Sequence, residues 1–316
     1  MQRITETAMI RRLAPIFSLL ILAAILSWLS PYFLTLENLF AIGLQMSVVA
    51  IMALGQVIII ISGGIDLSVG SVLALSGVVA CMTLRAGQPM VLAILATFVI
   101  GIVFGWLNGF FITRGKLPPF IATLGTMGIA RGTALIITEG VPVFGLPPSF
   151  AVLGGGRLFQ MIPVPVVITA IAALLMHLML AHTRLGRHTY AIGGNAEAAR
   201  LAGVPVVSIV QTLYLICGAL CGLAGLILAS RLNSGQPTAG TGYELDVIAA
   251  CVIGGASLSG GEGTVGGALL GALIMGVLRN GCNLLDISAF WQQVAIGAII
   301  IIAVFFDQSR RARLPM

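Results

Sequence analysis

Long apolar runs separated by short polar segments make up most of the chain. Crossing a bilayer as a helix takes roughly 20 apolar residues, each adding about 1.5 Å of length. Ten runs come close to that length, and we predict membrane-spanning helices at 13–30, 38–61, 67–84, 89–113, 119–138, 163–181, 207–230, 244–258, 264–279 and 290–306. The eighth and ninth are short and rich in glycine, which leaves a count of eight open.

The composition supports this interpretation, because charged residues make up only 8% of the chain and hydrophobic residues 59%. A soluble globular domain carries roughly 25% charged residues, so this chain cannot cover a surface that faces water. We therefore predict an all-α, polytopic integral membrane protein. The apolar runs recur along the whole length, which favours a single transmembrane domain over residues 1–316.

The cations predict the orientation of the spans. With the N-terminus in the cytoplasm, four cations lie outside, Arg131 lies inside a span, and the others lie inside the cell, where such residues concentrate. The inner set is Arg3, Arg11, Arg12, Arg114, Lys116, Arg184, Arg187, Arg200, Arg310, Arg311 and Arg313, and the outer set is Arg85, Arg157, Arg231 and Arg279. Both termini are therefore predicted to be cytoplasmic. Scattered cations that follow topology do not indicate nucleic-acid binding.

The stretch "GGIDLSVGSV" (63–72) interrupts the apolar pattern with a glycine pair and a carboxylate. Gly63 and Gly64 each cost roughly 1 kcal/mol in a helix relative to alanine, so we predict a broken helix here. Irregular backbone at membrane depth requires protein or a water-filled cavity around it. We expect Asp66 to accept hydrogen bonds from the start of a helix beginning near Leu67. Asp66 could fill this capping role and also line the path of a polar solute, because the two roles are compatible.

Three further charges lie within predicted spans: Arg131, Glu244 and Asp246. A charge inside a span is costly and points to a functional role and a partner. The sequence does not identify the partner of Arg131.

Two glycine patterns accompany these charges. "GGIDLSVG" (63–70) and "GGASLSGG" (254–261) share G-G-x-x-L-S-x-G and both follow an inward-running span, which fits a parallel duplication or chance in a chain with 40 glycines. Glycines spaced by four, at Gly101, Gly105 and Gly109, permit close helix packing, within the chain or between subunits.

The inner loop at about 182–206 contains a second predicted element. In "NAEAAR", Asn195 suits a helix N-cap, Glu197 the first turn, and Arg200 the C-terminal end. A short capped helix between two spans indicates a cytoplasmic docking element, and the alternative is an ordinary loop that sets topology.

The sequence lacks the residue patterns of several other functions. No G-x-x-x-x-G-K-[ST] phosphate loop occurs, so the chain cannot hydrolyse ATP by that device. His177, His182 and His188 have no matching acid or cysteine cluster for a metal. We predict no catalytic residues, no metal site and no cofactor bound by this chain.

Four long motifs, in order, resemble the ribose-type sugar permease subunits of bacterial ATP-binding-cassette importers. They are "SGGIDLSVGSVLALSG" (62–77), "PPFIATLGTMGIARG" (118–132), "TRLGRHTYAIGGNAEAARLAGV" (183–204) and "QPTAGTGYELDVIAACVIGGASLSGGEGTVGG" (236–267). The resemblance covers essentially the whole chain.

The resemblance implies the partners and the role of the inner loop. It implies a homodimer or heterodimer of permeases in the bacterial inner membrane, a cytoplasmic ATPase that binds ATP and Mg, and an external sugar-binding protein. It also implies that the inner loop is a coupling helix seated on the ATPase, with candidate residues Arg184, Gly186, Gly193, Gly194, Asn195, Glu197, Ala198 and Arg200.

A sugar has no net charge, so its path needs hydrogen-bonding groups. Candidates to line or shape it are Ser62, Asp66, Ser68, Asn108, Tyr243 and Glu244. Another solute of the same importer class, such as a different pentose or hexose, a polyol or a branched-chain amino acid, stays an alternative. An ion-coupled transporter would instead use the intramembrane acids for coupling. A membrane enzyme lacks its catalytic set.

Overall fold

The computed structural model describes residues 2–159 and 161–311, and helices account for most of them. Thirteen α-helices lie in these residues: α1 (Gln2–Leu29), α2 (Leu36–Ile61), α3 (Val69–Arg85), α4 (Met90–Thr113), α5 (Pro119–Thr138), α6 (Ala151–Gly155), α7 (Val164–His182), α8 (Arg184–Gly194), α9 (Ala196–Leu201), α10 (Val206–Leu232), α11 (Tyr243–Ile253), α12 (Val265–Leu284) and α13 (Ala289–Arg311). This confirms the prediction of an all-α, polytopic protein. Arg313, one of the cations assigned to the cytoplasm, lies outside the described residues.

Helices occur at all ten predicted spans. Six of them, α2, α4, α5, α7, α10 and α12, are long and apolar enough to cross a membrane on their own. Shorter apolar helices lie at Pro15–Leu29 within α1, at Val69–Arg85 and at Ala289–Ile302 within α13.

Helix α2 forms the centre of the bundle. Its residues 47–61 are all buried, as expected for a helix that is apolar on every side. It packs against α7, α10, α11 and α12. This central position means that the end of α2 is surrounded by protein, and in the segment after it Gly64, Asp66 and Ser68 are buried as well.

The eighth span differs from the prediction of a helix over 244–258. Helix α11 ends at Ile253, because Gly254 and Gly255 form a turn in which Gly255 has a φ of 90°. Its 11 residues reach only about 16 Å, roughly half of a bilayer core of about 30 Å. The ninth helix, by contrast, continues past the predicted end at 279 to Leu284. The prediction stopped at the charge of Arg279, which the fold neutralises.

An irregular segment, 233–242, completes the eighth span before α11 begins. It runs alongside α3, with Gly235 against Cys81 and Gly240 against Gly70, the two ends of that helix. The segment therefore runs from one end of α3 to the other and places the start of α11 beside Gly70. The span is therefore half irregular backbone and half helix.

Glycines bring α4 and α10 into backbone contact. Gly101 packs on Gly218, and Gly105 packs on the main chain of Tyr214 and Leu215. Of the two uses that the spacing permits, packing within the chain is the one observed.

Between α5 and α7, the described residues of 139–163 form short elements only. A 3-10 turn at Pro148–Phe150 leads into α6, and the two-residue strands β1 (Arg157–Leu158) and β2 (Ile162–Pro163) pair antiparallel, with Arg157 opposite Pro163 and Leu158 opposite Ile162. Val143 also forms an isolated bridge with Gly235. The loop is thus attached to the start of the irregular segment.

Candidate functional site

The chain reverses direction directly after α2. Gly63 adopts a left-handed φ of 84°, a conformation that costs glycine little, and the amide of Gly64 donates to the carbonyl of Ile59 at 2.9 Å. The segment 62–68 then returns alongside α2 as far as Gln56. The Gln56 amide, oriented by its partners, donates to the Asp66 carbonyl and accepts from the Asp66 amide, each at 3.2 Å.

A buried polar network holds this re-entrant segment 62–68. Oδ1 of Asp66 accepts from the Ser68 amide at 2.8 Å and from the Ser68 hydroxyl at 2.6 Å. Nδ2 of Asn108, on α4, donates to the Ser68 hydroxyl at 2.9 Å and to Oδ2 of Asp66 at 3.3 Å. Thr126, on α5, donates to the Asn108 side-chain oxygen at 2.5 Å. The network joins the segment to two further helices.

The structure shifts the role expected of Asp66. The helix begins at Val69, two residues later than predicted, and Ser68 is its N-cap. Asp66 therefore accepts from the N-cap residue instead of from the first turn of the helix. Asp66, Ser68 and Asn108 are at most 2% exposed, so all three are packed inside the protein. Ser62, by contrast, is half-buried.

A second break is held by Arg131. Its Nη1 donates to the carbonyls of Pro237 and Ala239, at 2.6 and 2.8 Å. These carbonyls belong to the irregular segment 233–242, so they do not accept the backbone hydrogen bonds that carbonyls accept in a regular helix. The sequence left the partner of Arg131 open, and the structure identifies it as backbone.

Asp246 has a cationic partner that the sequence analysis did not propose. Its Oδ2 accepts from Nη2 of Arg279, on α12, at 2.5 Å, with the side chains 2% and 34% exposed. The same guanidinium lies 5.8 Å from the centre of the Tyr243 ring. A buried carboxylate in a span requires such a partner, and this requirement was the signal that pointed toward a cation on a neighbouring helix.

The two breaks meet inside the bundle. A methyl group added to Gly70, in the first turn of α3, would lie 2.9 Å from Oε2 of Glu244, and closer still to the Gly240 carbonyl. The N-terminal ends of α3 and α11 are therefore neighbours. Each such end carries a partial positive charge, and Asp66, Glu244 and Asp246 supply negative charge beside them. Tyr243 and Glu244 are half-buried. These two predicted path residues are therefore more exposed than Asp66, Ser68 and Asn108.

The inner loop folds into α8 and α9, and the eight predicted coupling residues all lie on these helices or between them. The amide of Gly186 donates to the side chain of Thr183 at 3.2 Å, and the amide of Ala198 donates to Asn195 at 2.9 Å, which confirms Asn195 as an N-cap. Glu197 and Arg200 form an exposed ion pair at 2.6 Å. The helical structure of residues 184–194 was not predicted.

Comparisons with known proteins match this chain over nearly its full length. Residues 38–304 match the family described as branched-chain amino acid transport system / permease component. The ribose import permease protein of Bacillus subtilis (strain 168) is 45% identical over 312 residues, 98% of this chain and 97% of the relative. The ribose import permease protein of Escherichia coli (strain K12) is 46% identical over 300 residues, 94% of this chain and 93% of the relative.

A relative named for a different sugar matches as well. The L-arabinose transport system permease protein of Escherichia coli (strain K12) is 41% identical over 281 residues, 89% of this chain and 85% of the relative. No solved structure matches this chain.

Replacing Asp66 tests whether the network stabilises the fold. Asp66→Ala removes the acceptor for the Ser68 amide and hydroxyl and for Asn108, and each buried donor left unsatisfied costs about 1–3 kcal/mol. We expect a clear fall in the thermal unfolding midpoint of the purified protein in detergent. Asp66→Asn is the matched control, because its side-chain oxygen can still accept from Ser68, and it should lose less. Equal midpoints for the two variants would contradict this role.

Proposed function

We propose, from the premise that this chain belongs to the branched-chain amino acid transport system / permease component family, that it is the membrane-spanning permease of an ATP-binding-cassette importer for a monosaccharide of the ribose type. The observation that carries the proposal is identity of 45–46% to ribose import permeases over 94–98% of the chain. The transporter class implies the bacterial inner membrane. We treat residues 1–316 as one transmembrane domain. That the similar stretches 63–70 and 254–261 arose by internal duplication stays a prediction.

The sugar path is proposed to pass the junction of the two broken helices. A neutral sugar is recognised by hydrogen bonds, and discontinuous helices with facing ends are a recurrent site for solutes in transporters. Tyr243 and Glu244, half-buried at the start of α11, are proposed to contact it, together with Ser62. Asp66, Ser68 and Asn108 are proposed to shape the path from behind.

The partners are assigned to opposite sides of the membrane. The cytoplasmic ATPase, which holds ATP and Mg, is proposed to act on α8 and α9, where Glu197 and Arg200 are exposed. The binding protein that delivers the sugar docks on the outer face, beside the loop at 139–162. A second permease subunit, identical or related, completes the pathway.

Coupling to an ion gradient is a weaker explanation of the intramembrane acids. Asp246 pairs with Arg279, and Asp66 accepts three different donor groups. These contacts already account for both carboxylates as structural groups. A branched-chain amino acid as cargo is favoured only by the description of the family.

Reconstituted transport tests the proposal. The permease is assembled in proteoliposomes with its partner ATPase, and ribose is supplied on the external side with the partner sugar-binding protein. We expect uptake of labelled ribose that requires ATP and all three components. Uptake by the permease alone under an imposed ion gradient would contradict the proposal, and ATP-dependent uptake of leucine but not ribose would contradict the sugar assignment.

Glu244 provides the test of the path. Glu244→Ala removes one charged hydrogen-bonding group, and the loss of such a bond, about 1.5–3 kcal/mol, corresponds to a fall in ribose uptake of roughly ten- to a hundredfold. The control is Glu37→Ala, at the exposed start of α2, which should transport normally. Normal uptake by the Glu244 variant, in a complex assembled to the same extent, would remove Glu244 from the path.

A further inference from the structure

Three segments of main chain meet at the cytoplasmic end of the bundle. They are the last residue of α2, the C-terminal end of α8 and the loop that precedes α12. The Gly261 amide donates to the Ile61 carbonyl at 2.8 Å. A methyl group added to Gly193 would lie 2.5 Å from the nitrogen of Gly261 and nearer still to the oxygen of Ile61. Only a residue without a side chain fits at Gly193.

The loop before α12 is fitted to α8 by further contacts. The Tyr190 hydroxyl, one turn before Gly193, donates to the Gly263 carbonyl at 2.7 Å. A methyl group on Gly260, which has a φ of 84°, would lie 2.7 Å from the Gly193 carbonyl. We call this contact the glycine junction, and it consists of Ile61, Tyr190, Gly193, Gly260, Gly261 and Gly263.

The position of the junction in the chain gives it a second property. Ile61 is followed directly by the re-entrant segment 62–68, which leads into α3. The loop 254–264 follows α11 directly and leads into α12. One contact with α8 therefore reaches the segments attached to both broken helices.

The contact is also close. Apart from the Tyr190 hydroxyl, it is made by main-chain atoms and glycines, so few flexible side-chain bonds lie between the segments to absorb a displacement, and close-packed interiors transmit strain. Helix α9, beyond it, exposes Glu197 and Arg200 to solvent. A force applied to α9 and α8 from the cytoplasm reaches the end of α2 and the loop before α12 through the glycine junction.

We propose that the glycine junction transmits the movement of α8 and α9 to the broken helices α3 and α11, with Gly193 as its positioning residue. This inference rests on the proposed function, in which an ATPase acts on α8 and α9. It assigns a specific set of backbone contacts to the step between ATP hydrolysis and the opening of the path.

The test compares two glycine-to-alanine variants in the complete complex, reconstituted in proteoliposomes. Gly193→Ala places a methyl group inside the junction. Gly266→Ala, in the first turn of α12, places one where nothing lies within 4 Å. Ribose uptake and ATP hydrolysis are measured in the same vesicles, and co-purification of the ATPase reports assembly. We expect Gly193→Ala to import about tenfold less ribose for each ATP hydrolysed, and Gly266→Ala to match the wild type.

Tyr190→Phe keeps the test decisive if Gly193→Ala does not assemble. It removes one hydroxyl and its bond to Gly263, and a bond of ordinary strength predicts a loss of about fivefold in ribose imported per ATP. A wild-type ratio for every junction variant that assembles would overturn the proposal. A wild-type complex that imports no ribose would contradict the proposed function instead, so the two failures are distinguishable.

Discussion

The need to satisfy main-chain polar groups away from water governs this structure more than any other constraint. A continuous helix in a membrane satisfies its own backbone, but a broken one does not. Two breaks lie in the part of the chain that the structure describes, at 62–68 and 233–242, and each is surrounded by donors and acceptors from other helices. Asp66 and Gln56 serve the first, and Arg131 serves the second. Asp66 and Arg131 are thus accounted for by the breaks that they support, and Asp246 by its ion pair with Arg279.

The breaks in turn create what a transporter of a neutral solute requires. They place the starts of α3 and α11 side by side, with Gly70 against Gly240 and Glu244. A junction of two short helices can change its geometry with less rearrangement than two unbroken spans, because its connecting segments are not tied into helical hydrogen bonding. The glycine junction links α8 to the start of segment 62–68, which leads into α3, and to the loop 254–264, which follows α11. The fold, the proposed solute path and the proposed coupling therefore all involve the two broken helices α3 and α11.

The sequence predicted the local features well, because each depends on neighbouring residues. Hydropathy located ten helices, and the position of Asn195 before "AEAAR" located the cap of α9. Long-range contacts were not predictable in the same way. Gln56 lies within an apolar run, and nothing in the neighbouring sequence identifies Asp66 as its partner. The sequence likewise does not show which segment Arg279 or Gly193 contacts. The length of α11 was overestimated because hydropathy does not detect the turn at Gly254.

Hydrogen exchange in the assembled complex tests the central claim most directly. Amide exchange is compared between the nucleotide-free complex and the complex held with a non-hydrolysable ATP analogue, in the presence of the binding protein. If α8 drives the segments attached to the two broken helices α3 and α11, exchange rates change in 62–68 and 254–264 together with 184–201. Changes confined to 184–201, with both other segments unaltered, would contradict the account.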